Sequence, residues 1–231
     1  MDGVIDMEAA RSLVANGQLW PLVRDFLWDF APQVHVSWLD GLEIDGAKLE
    51  TGNLDLSSPR VKSFILKALG VEPCFHSFPN GDWSRLLLLG APALESIAKW
   101  LGALACAESL RCVTDGATVR SLKAGFAGVY PEVFSYTAYF SRMDFGGIDA
   151  KSADEVLSAG CELLLSAFAA LPSCLVSRIR FKFPKDSSFA SIMSRPIPEK
   201  GKSDRRRGFM DNLISKLLKL RFPEVYSLCC S

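Results

Sequence analysis

The sequence predicts a mainly α-helical fold, a compact helical domain with at most one or two short strands. Apolar residues recur at helical spacing from Leu94 to Ala105, and a second helical stripe runs from Val156 to Leu171. Of the 231 residues, 49% are hydrophobic and 23% are charged, the composition of a globular chain with a core. Together these observations predict helices packed around that core.

The two strongest helical segments carry their own boundary signals. Pro92 suits the first turn of the Leu94 helix, where the missing N–H group costs nothing. Ser152 stands three residues before Glu155 and predicts a capping box for the second helix, which Pro172 ends. Helices are also predicted over six weaker segments: Met7–Ala15, Pro21–Phe30, Pro59–Leu69, Ala117–Phe126, Pro131–Arg142 and Phe209–Leu220.

Two short segments alternate in the manner of strands. Arg178–Phe183 alternates basic with apolar side chains, and Val34–Trp38 alternates as well. If one is a strand, the other is its natural partner, because a lone strand leaves its backbone groups unpaired. Leu175, Ile179 and Phe183 also fit a helical stripe, so both alternatives stay open for 178–183.

Composition divides the chain into three parts. Residues 1–184 form the predicted helical domain, 185–208 a flexible linker rich in Pro, Ser and Arg, and 209–231 an amphipathic helix with a tail.

Charge is balanced overall but unevenly distributed. Lys and Arg total 26, as do Asp and Glu, so the whole chain has no excess of positive charge for nucleic acid. Met1–Asp55 holds ten acidic and three basic residues, whereas Arg178–Arg221 holds thirteen basic and four acidic ones. Either the ends attract each other or are simply solvated, or one of them is a docking surface.

Seven cysteines form no regular disulfide framework, and we expect reduced thiols. Met1–Trp20 does not resemble a signal peptide, and Leu86–Ala107 is interrupted by Pro92, Glu95 and Lys99, which argues against a membrane span. These observations predict a cytoplasmic protein.

No motif in the sequence indicates catalysis. Cys74 and His76 with His35 are too few and too scattered for a zinc site, and Cys74 lacks the local signature of an activated nucleophile. There is no phosphate-binding loop and no nucleophile elbow. We therefore expect neither an enzyme nor a metal nor another cofactor.

The central region resembles a known family. Cys74–Leu89 is a turn-rich aromatic stretch with Asp-Trp-Ser-Arg and a leucine run, followed by Trp100-Leu101-Gly102 and then by Leu110–Lys123. These segments resemble the SctK family (YscK, MxiK, OrgA), adaptors of the type III secretion sorting platform. Val34–Leu39 resembles the family's His-Pro-Ser-Trp-Leu stretch, with Val36 in place of proline, and Arg178–Pro184 resembles its basic-apolar run.

The resemblance implies a helical, non-enzymatic adaptor in the bacterial cytoplasm, peripheral to the inner membrane at the secretion apparatus. Its partners would be the cytoplasmic domain of the inner-membrane ring protein (SctD-like) and the pod protein (SctQ-like). Through the pod protein it would be linked to the spoke protein and the export ATPase.

Residue types suggest where such partners bind. Trp83 and Arg85 follow an Asn-Gly turn and are of the types that anchor interfaces, although Trp83 suits a core equally well. The C-terminal segment offers six basic candidates: Arg205, Arg206, Arg207, Lys216, Lys219 and Arg221. Three alternatives stay open for the C-terminal amphipathic helix: it packs back on the domain, it docks on an acidic partner, or it lies on anionic lipid. Two other functions therefore stay open, a membrane-peripheral regulator and a thiol enzyme that uses Cys74.

Overall fold

The computed structural model describes residues 19–44, 47–48, 55–71, 78, 83–126, 128–140, 150, 152–196 and 204–230. These residues form eleven α-helices and one two-stranded hairpin, so the prediction of a mainly helical fold is confirmed. The helices are α1 Leu19–Leu27, α2 Pro59–Ala68, α3 Ala91–Ala105, α4 Ala107–Arg111, α5 Gly116–Gly125, α6 Val133–Phe140, α7 Ala153–Ala167, α8 Ser173–Ile179, α9 Ser188–Met193, α10 Asp204–Arg221 and α11 Pro223–Cys230.

The strands are two residues long each, β1 Glu43–Ile44 and β2 Ala47–Lys48, and pair antiparallel with Glu43 opposite Lys48. Five single 3₁₀ turns complete the described elements: Ala31–Gln33, Val36–Trp38, Ser84–Leu88, Phe168–Ala170 and Arg180–Lys182. Strands thus contribute little to the fold.

The predicted capping box is present at the start of α7. The backbone N–H of Glu155 donates to Ser152 Oγ at 3.2 Å, and the backbone N–H of Ser152 donates to Glu155 Oε2 at 3.1 Å. Two N–H groups that would otherwise be unsatisfied at the helix start are therefore bonded. Of the other predicted helices, Met7–Ala15 lies outside the described residues.

The two alternating segments are not strands. Val36–Trp38 is a 3₁₀ turn, and residues 178–183 continue from α8 into the turn Arg180–Lys182. They are nevertheless neighbours, because the backbone N–H of His35 donates to the Phe181 carbonyl at 2.7 Å and Trp38 Nε1 donates to the Phe183 carbonyl at 2.8 Å. The helical stripe of Leu175 and Ile179, both fully buried, decided the conformation.

The predicted linker is folded in its first part, which corrects that expectation. Residues 188–193 form α9, whose N-cap Ser187 accepts from the Ala190 N–H at 3.1 Å. Phe189, Ile192 and Met193 are buried, and the ring of Phe189 stacks on Phe183 with centroids 3.7 Å apart. Averaging the composition over the whole stretch concealed this short apolar helix.

The chain divides into two compact units. Unit 1 contains residues 1–91, 171–195 and 227–231, and unit 2 contains residues 92–170 and 196–226. Each has its own fully buried apolar residues. Those of unit 1 include Phe26, Phe30, Ile65, Leu86, Leu87, Leu175 and Ile179, and those of unit 2 include Leu94, Ile97, Leu101, Val156, Leu164, Leu213 and Leu218.

In unit 2, α3 and α7 cross with their backbones in close contact. A Cβ atom at Gly160 would overlap the backbone carbonyl of Ala98, and one at Gly102 would overlap the carbonyl of Val156. Only glycine allows two helices to approach so closely. The two helices that the sequence predicts most clearly therefore pack directly against each other.

Among the described residues, no helix combines the length and the apolar character needed to cross a membrane.

Candidate protein-binding surface

Two tryptophans of α1 and its end are exposed side by side. Trp20 is 62% exposed and Trp28 is 47% exposed. Their ring centroids lie 5.5 Å apart with the planes at 63°, an edge-to-face contact. Arg24, also exposed, lies one helical turn from each. We call Trp20, Arg24 and Trp28 the Trp ridge of unit 1.

The ridge follows from the helical spacing of α1. Trp20, Arg24 and Trp28 recur every four residues and share a face, and the Trp28 N–H continues the helical ladder by donating to the Arg24 carbonyl at 2.8 Å. The opposite face is buried, with members Leu22, Val23, Phe26, Leu27 and Phe30. The helix thus places two of the chain's largest apolar side chains on its outer face.

A buried arginine fixes the end of α1. Arg178 of α8 is 1% exposed, and its Nη1 donates to the Phe26 carbonyl at 2.5 Å and to the Leu27 carbonyl at 2.8 Å. These carbonyls lie at the helix end, where no further turn supplies a donor. The guanidinium also lies over the Phe26 and Phe30 rings, 5.8 and 5.7 Å from their centroids. Arg178 therefore holds the segment that carries Trp28.

A buried lysine lies one turn beyond Arg178. Lys182 Nζ donates to the Leu87 and Leu89 carbonyls, at 2.7 Å each, and lies 5.0 Å from the Phe26 ring centroid. Within the part of the chain that the structure describes, it has no carboxylate partner. Burial lowers the pKa of Lys182 from 10.5 to about 7. Lys182 thus fixes the Ser84–Leu88 turn against the same aromatic ring that Arg178 contacts.

The stability of the protein is expected to rise with pH above neutrality because of Lys182. Between the folded pKa of about 7 and the ordinary value of 10.5, the unfolded chain binds a proton at this site that the folded chain does not. The free energy of unfolding should therefore increase by about 2 kcal/mol between pH 7 and pH 9 relative to Lys182→Met. Well below pH 7 both states are protonated, and this contribution becomes constant.

Urea unfolding of the wild type and of Lys182→Met across this pH range measures the difference in their free energies of unfolding. The titration of all other groups is common to both proteins and cancels in this difference. The exposed Lys185, changed to Met, serves as the matched control and should leave the pH dependence as in the wild type. Parallel pH curves for wild type and Lys182→Met would show that the two carbonyls keep the lysine protonated.

Two ion pairs lie at or near the Trp ridge in the part of the chain that the structure describes. Arg24 Nε and Nη2 donate to Asp25 Oδ1 at 3.0 and 2.8 Å, and Lys62 of α2 pairs with Asp29 Oδ2 at 2.8 Å. Both pairs are partly exposed, so each contributes little to stability and leaves its groups available to a partner.

Trp83 and Arg85, the predicted anchors, take part in the packing of unit 1. Trp83 is only 7% exposed, which supports the core alternative. Arg85 is half-buried, and its Nη1 donates to the Leu228 carbonyl of α11 at 2.7 Å. Both side chains are thus committed to contacts within the unit.

Arg221 is likewise a packing residue, of unit 2. It forms a two-pronged ion pair with Glu132, with distances of 2.7 and 2.9 Å, and lies 4.5 Å from the Trp100 ring centroid and 5.5 Å from that of Tyr136. A guanidinium that pairs with a carboxylate through both Nη atoms and stacks on rings contributes to the packing of its unit.

Lys216 and Lys219 remain exposed on α10, beside Leu220, which is 44% exposed. We call these three residues the basic face of unit 2. The apolar stripe on the other side of α10 is buried, with members Met210, Leu213, Ile214, Leu217 and Leu218. Arg205, Arg206 and Arg207 belong to the first turns of the same helix, and their side chains lie outside what the structure describes.

None of the five cysteines that the structure describes is in a disulfide. Cys106, Cys161 and Cys229 are buried, and burial raises the pKa of the Cys161 thiol to about 12, so that it is a poor nucleophile. Cys74, on which the thiol-enzyme alternative depends, lies outside the described residues.

The Trp ridge is the feature that sequence reasoning missed. The sequence does contain a signal for it: Trp20 and Trp28 are each four residues from Arg24, so both tryptophans lie on the same side of the helix as this charged residue. The fold is that of a helical protein, and its most distinctive described surface is an aromatic one. Comparison with family models, with curated proteins and with solved structures found no match.

Proposed function

We propose that this chain is a non-enzymatic adaptor of a bacterial type III secretion sorting platform. It would link the cytoplasmic domain of the inner-membrane ring protein to the pod protein, and through it to the spoke protein and the export ATPase. The resemblance of Val34–Pro184 to the SctK family names the system. An adaptor of this kind works in the cytoplasm at the inner membrane and needs binding surfaces instead of a catalytic centre.

The observation that carries the proposal is the Trp ridge. Exposing two indoles to water is unfavourable, and tryptophan and arginine are the residues that most often dominate binding energy in protein interfaces. Arg178 holds the backbone of the helix end in place, so little backbone freedom remains to be lost there when a partner binds. A preformed aromatic surface of this kind supports a protein-binding function.

The basic face of unit 2 supports a second contact of different chemistry. Lys216 and Lys219 are exposed and would attract an acidic surface, whereas the Trp ridge is balanced in charge and apolar. Two faces that differ in this way select different partners, because a surface complementary to the Trp ridge is not complementary to the basic face, and the reverse. That is the requirement for joining two assemblies.

The membrane-peripheral alternative has less support. A helix that lies on a bilayer inserts its apolar stripe among the lipids. The apolar stripe of α10 is already buried in unit 2, which leaves Leu220 as the exposed apolar residue of the basic face. The same helix is therefore better suited to electrostatic docking on a protein.

Co-purification from cells that express the chain with the ring and pod proteins of its own secretion system tests the proposal. We expect a complex that contains all three proteins. The Lys216→Glu, Lys219→Glu double variant should associate about tenfold more slowly with one partner and lose much of the salt dependence, because charged rims mainly steer encounter. Its melting temperature should stay unchanged, since both lysines are exposed.

Lys123→Glu is the matched control, an exposed lysine on α5 of the same unit, and it should associate like the wild type. A wild-type chain that binds neither the ring domain nor the pod protein would overturn the proposed function. Equal association rates of the double variant and the control would exclude the basic face as a docking surface.

A further inference from the structure

We propose that the Trp ridge inserts into an apolar groove of its partner protein, and that a carboxylate of that groove receives Arg24. The inference rests on the proposed function and specifies the chemistry that the partner of unit 1 must have. It is based on the arrangement of Trp20, Arg24 and Trp28, which lie one helical turn apart on the exposed face of α1 and its C-terminal end.

The shape of the ridge determines the shape of the partner. Both indoles project from the outer face of a helix whose other face is buried, and they contact each other edge to face at 5.5 Å. A projecting pair of rings gains most contact when it enters a concave surface, as the anchors of a helix do in a helix-in-groove complex. The partner should therefore supply an apolar groove that accommodates about two turns of helix.

Arg24 determines the charge of that groove. A guanidinium has five N–H donors. The described structure gives acceptors to two of them, both supplied by Asp25 Oδ1. A groove that closes over Trp20 and Trp28 removes water from the donors between them, and a buried donor without an acceptor opposes binding. A carboxylate offers the planar, two-pronged acceptor that a guanidinium binds best.

The same charges favour a protein over an anionic membrane. Arg24 is paired with Asp25, and Lys62 with Asp29, so each of these two basic groups of the described surface has an acidic partner. Attraction to an anionic lipid surface depends on an excess of basic residues acting over a Debye length. Recognition of Arg24 by one placed carboxylate acts at hydrogen-bond distance, and it uses the donors of the guanidinium to which Asp25 gives no acceptor.

Binding of purified variants to the purified ring-protein domain and to the purified pod protein tests the inference. We expect Trp20→Ala and Trp28→Ala each to weaken binding to one of these two proteins by about tenfold or more. Arg24→Glu should weaken it by about a hundredfold, through repulsion between like charges. Arg24→Lys, which keeps the charge and loses the fork, should fall between Arg24→Glu and the wild type.

Leu220→Ala is the control, an exposed apolar residue of unit 2, and it should not affect this contact. All variants change exposed residues, so their melting temperatures should match the wild type. Individual acidic residues of the partner should then be replaced by arginine. We expect the replacement at one position to restore the binding of Arg24→Glu.

The outcomes separate this inference from the proposed function. If the wild type binds and the ridge variants bind equally well, the ridge is not the site and this inference fails; the adaptor function loses the ridge as support but stands on the measured binding. If the tryptophan variants lose binding and Arg24→Glu does not, the groove has no carboxylate at Arg24. If the wild type binds neither protein, the adaptor function fails and this inference with it.

Two further results would assign the ridge to another occupant and overturn the inference. One is sedimentation of the wild type, but not of Trp28→Ala, with vesicles of phosphatidylethanolamine and phosphatidylglycerol. The other is a wild-type dimer in analytical ultracentrifugation that Trp28→Ala converts to a monomer.

Discussion

Replacement of Gly160 by alanine is expected to destabilise unit 2 by about 3 kcal/mol or more, because the new methyl group would overlap the backbone carbonyl of Ala98. A backbone atom in the middle of α3 cannot rotate away, so the two helices must separate. Separation would loosen the contacts of fully buried residues such as Leu101 and Leu164. Urea unfolding followed by circular dichroism measures the loss.

The control for this substitution is Gly116→Ala. Gly116 begins α5, and a Cβ atom there would meet only the end of the Arg120 side chain at 3.6 Å. Alanine should be tolerated at this position or even raise stability, by at most about 1 kcal/mol, through its higher helix propensity. Equal stability of the two variants would show that α3 and α7 do not cross at Gly160.

Replacement of Arg178 by methionine is expected to destabilise unit 1 by about 2–5 kcal/mol. Methionine fills much of the same volume but donates no hydrogen bond, so the carbonyls of Phe26 and Leu27 would lose the donor that Arg178 supplies. The end of α1 should then loosen, and Trp28 with it. Urea unfolding measures the stability, and the fluorescence of the variant before unfolding reports the environment of the tryptophans.

Arg180→Met is the matched control, two residues further along the chain. Arg180 is half-buried and lies over its neighbour Phe181, with its Cζ 4.5 Å from the ring centroid. Its replacement should cost about 1 kcal/mol or less. A loss at Arg178 no larger than that at Arg180 would mean that the two carbonyls find other donors.

The helices could be predicted from the sequence because their signals are local. The stripe of Leu94, Ile97 and Leu101 and the capping box of Ser152 depend on residues three or four positions apart, and both are present in the structure. The short helix α9 was missed because its six residues lie within a stretch whose average composition is typical of a linker.

The candidate surface could be predicted only in part. Lys216 and Lys219 are charged residues on an amphipathic helix, and their exposure follows from that pattern. Trp83 and Trp20 are the same residue type, yet one is buried and the other exposed. Residue type alone does not distinguish an anchor from a core side chain, because both roles favour large aromatic groups.

Local signals in the sequence are sufficient to predict that this protein is helical, where its main helices begin and which of their faces are apolar, since helix formation and capping depend on near neighbours along the chain. What covers those faces depends on tertiary packing. Arg178 is buried because carbonyls more than 150 positions away need its donors, and Gly160 is required because α3 lies against it. Trp20 and Trp28 are exposed because the buried face of α1 is already filled by its own apolar residues. Contacts between distant segments set these outcomes, and no local pattern encodes them.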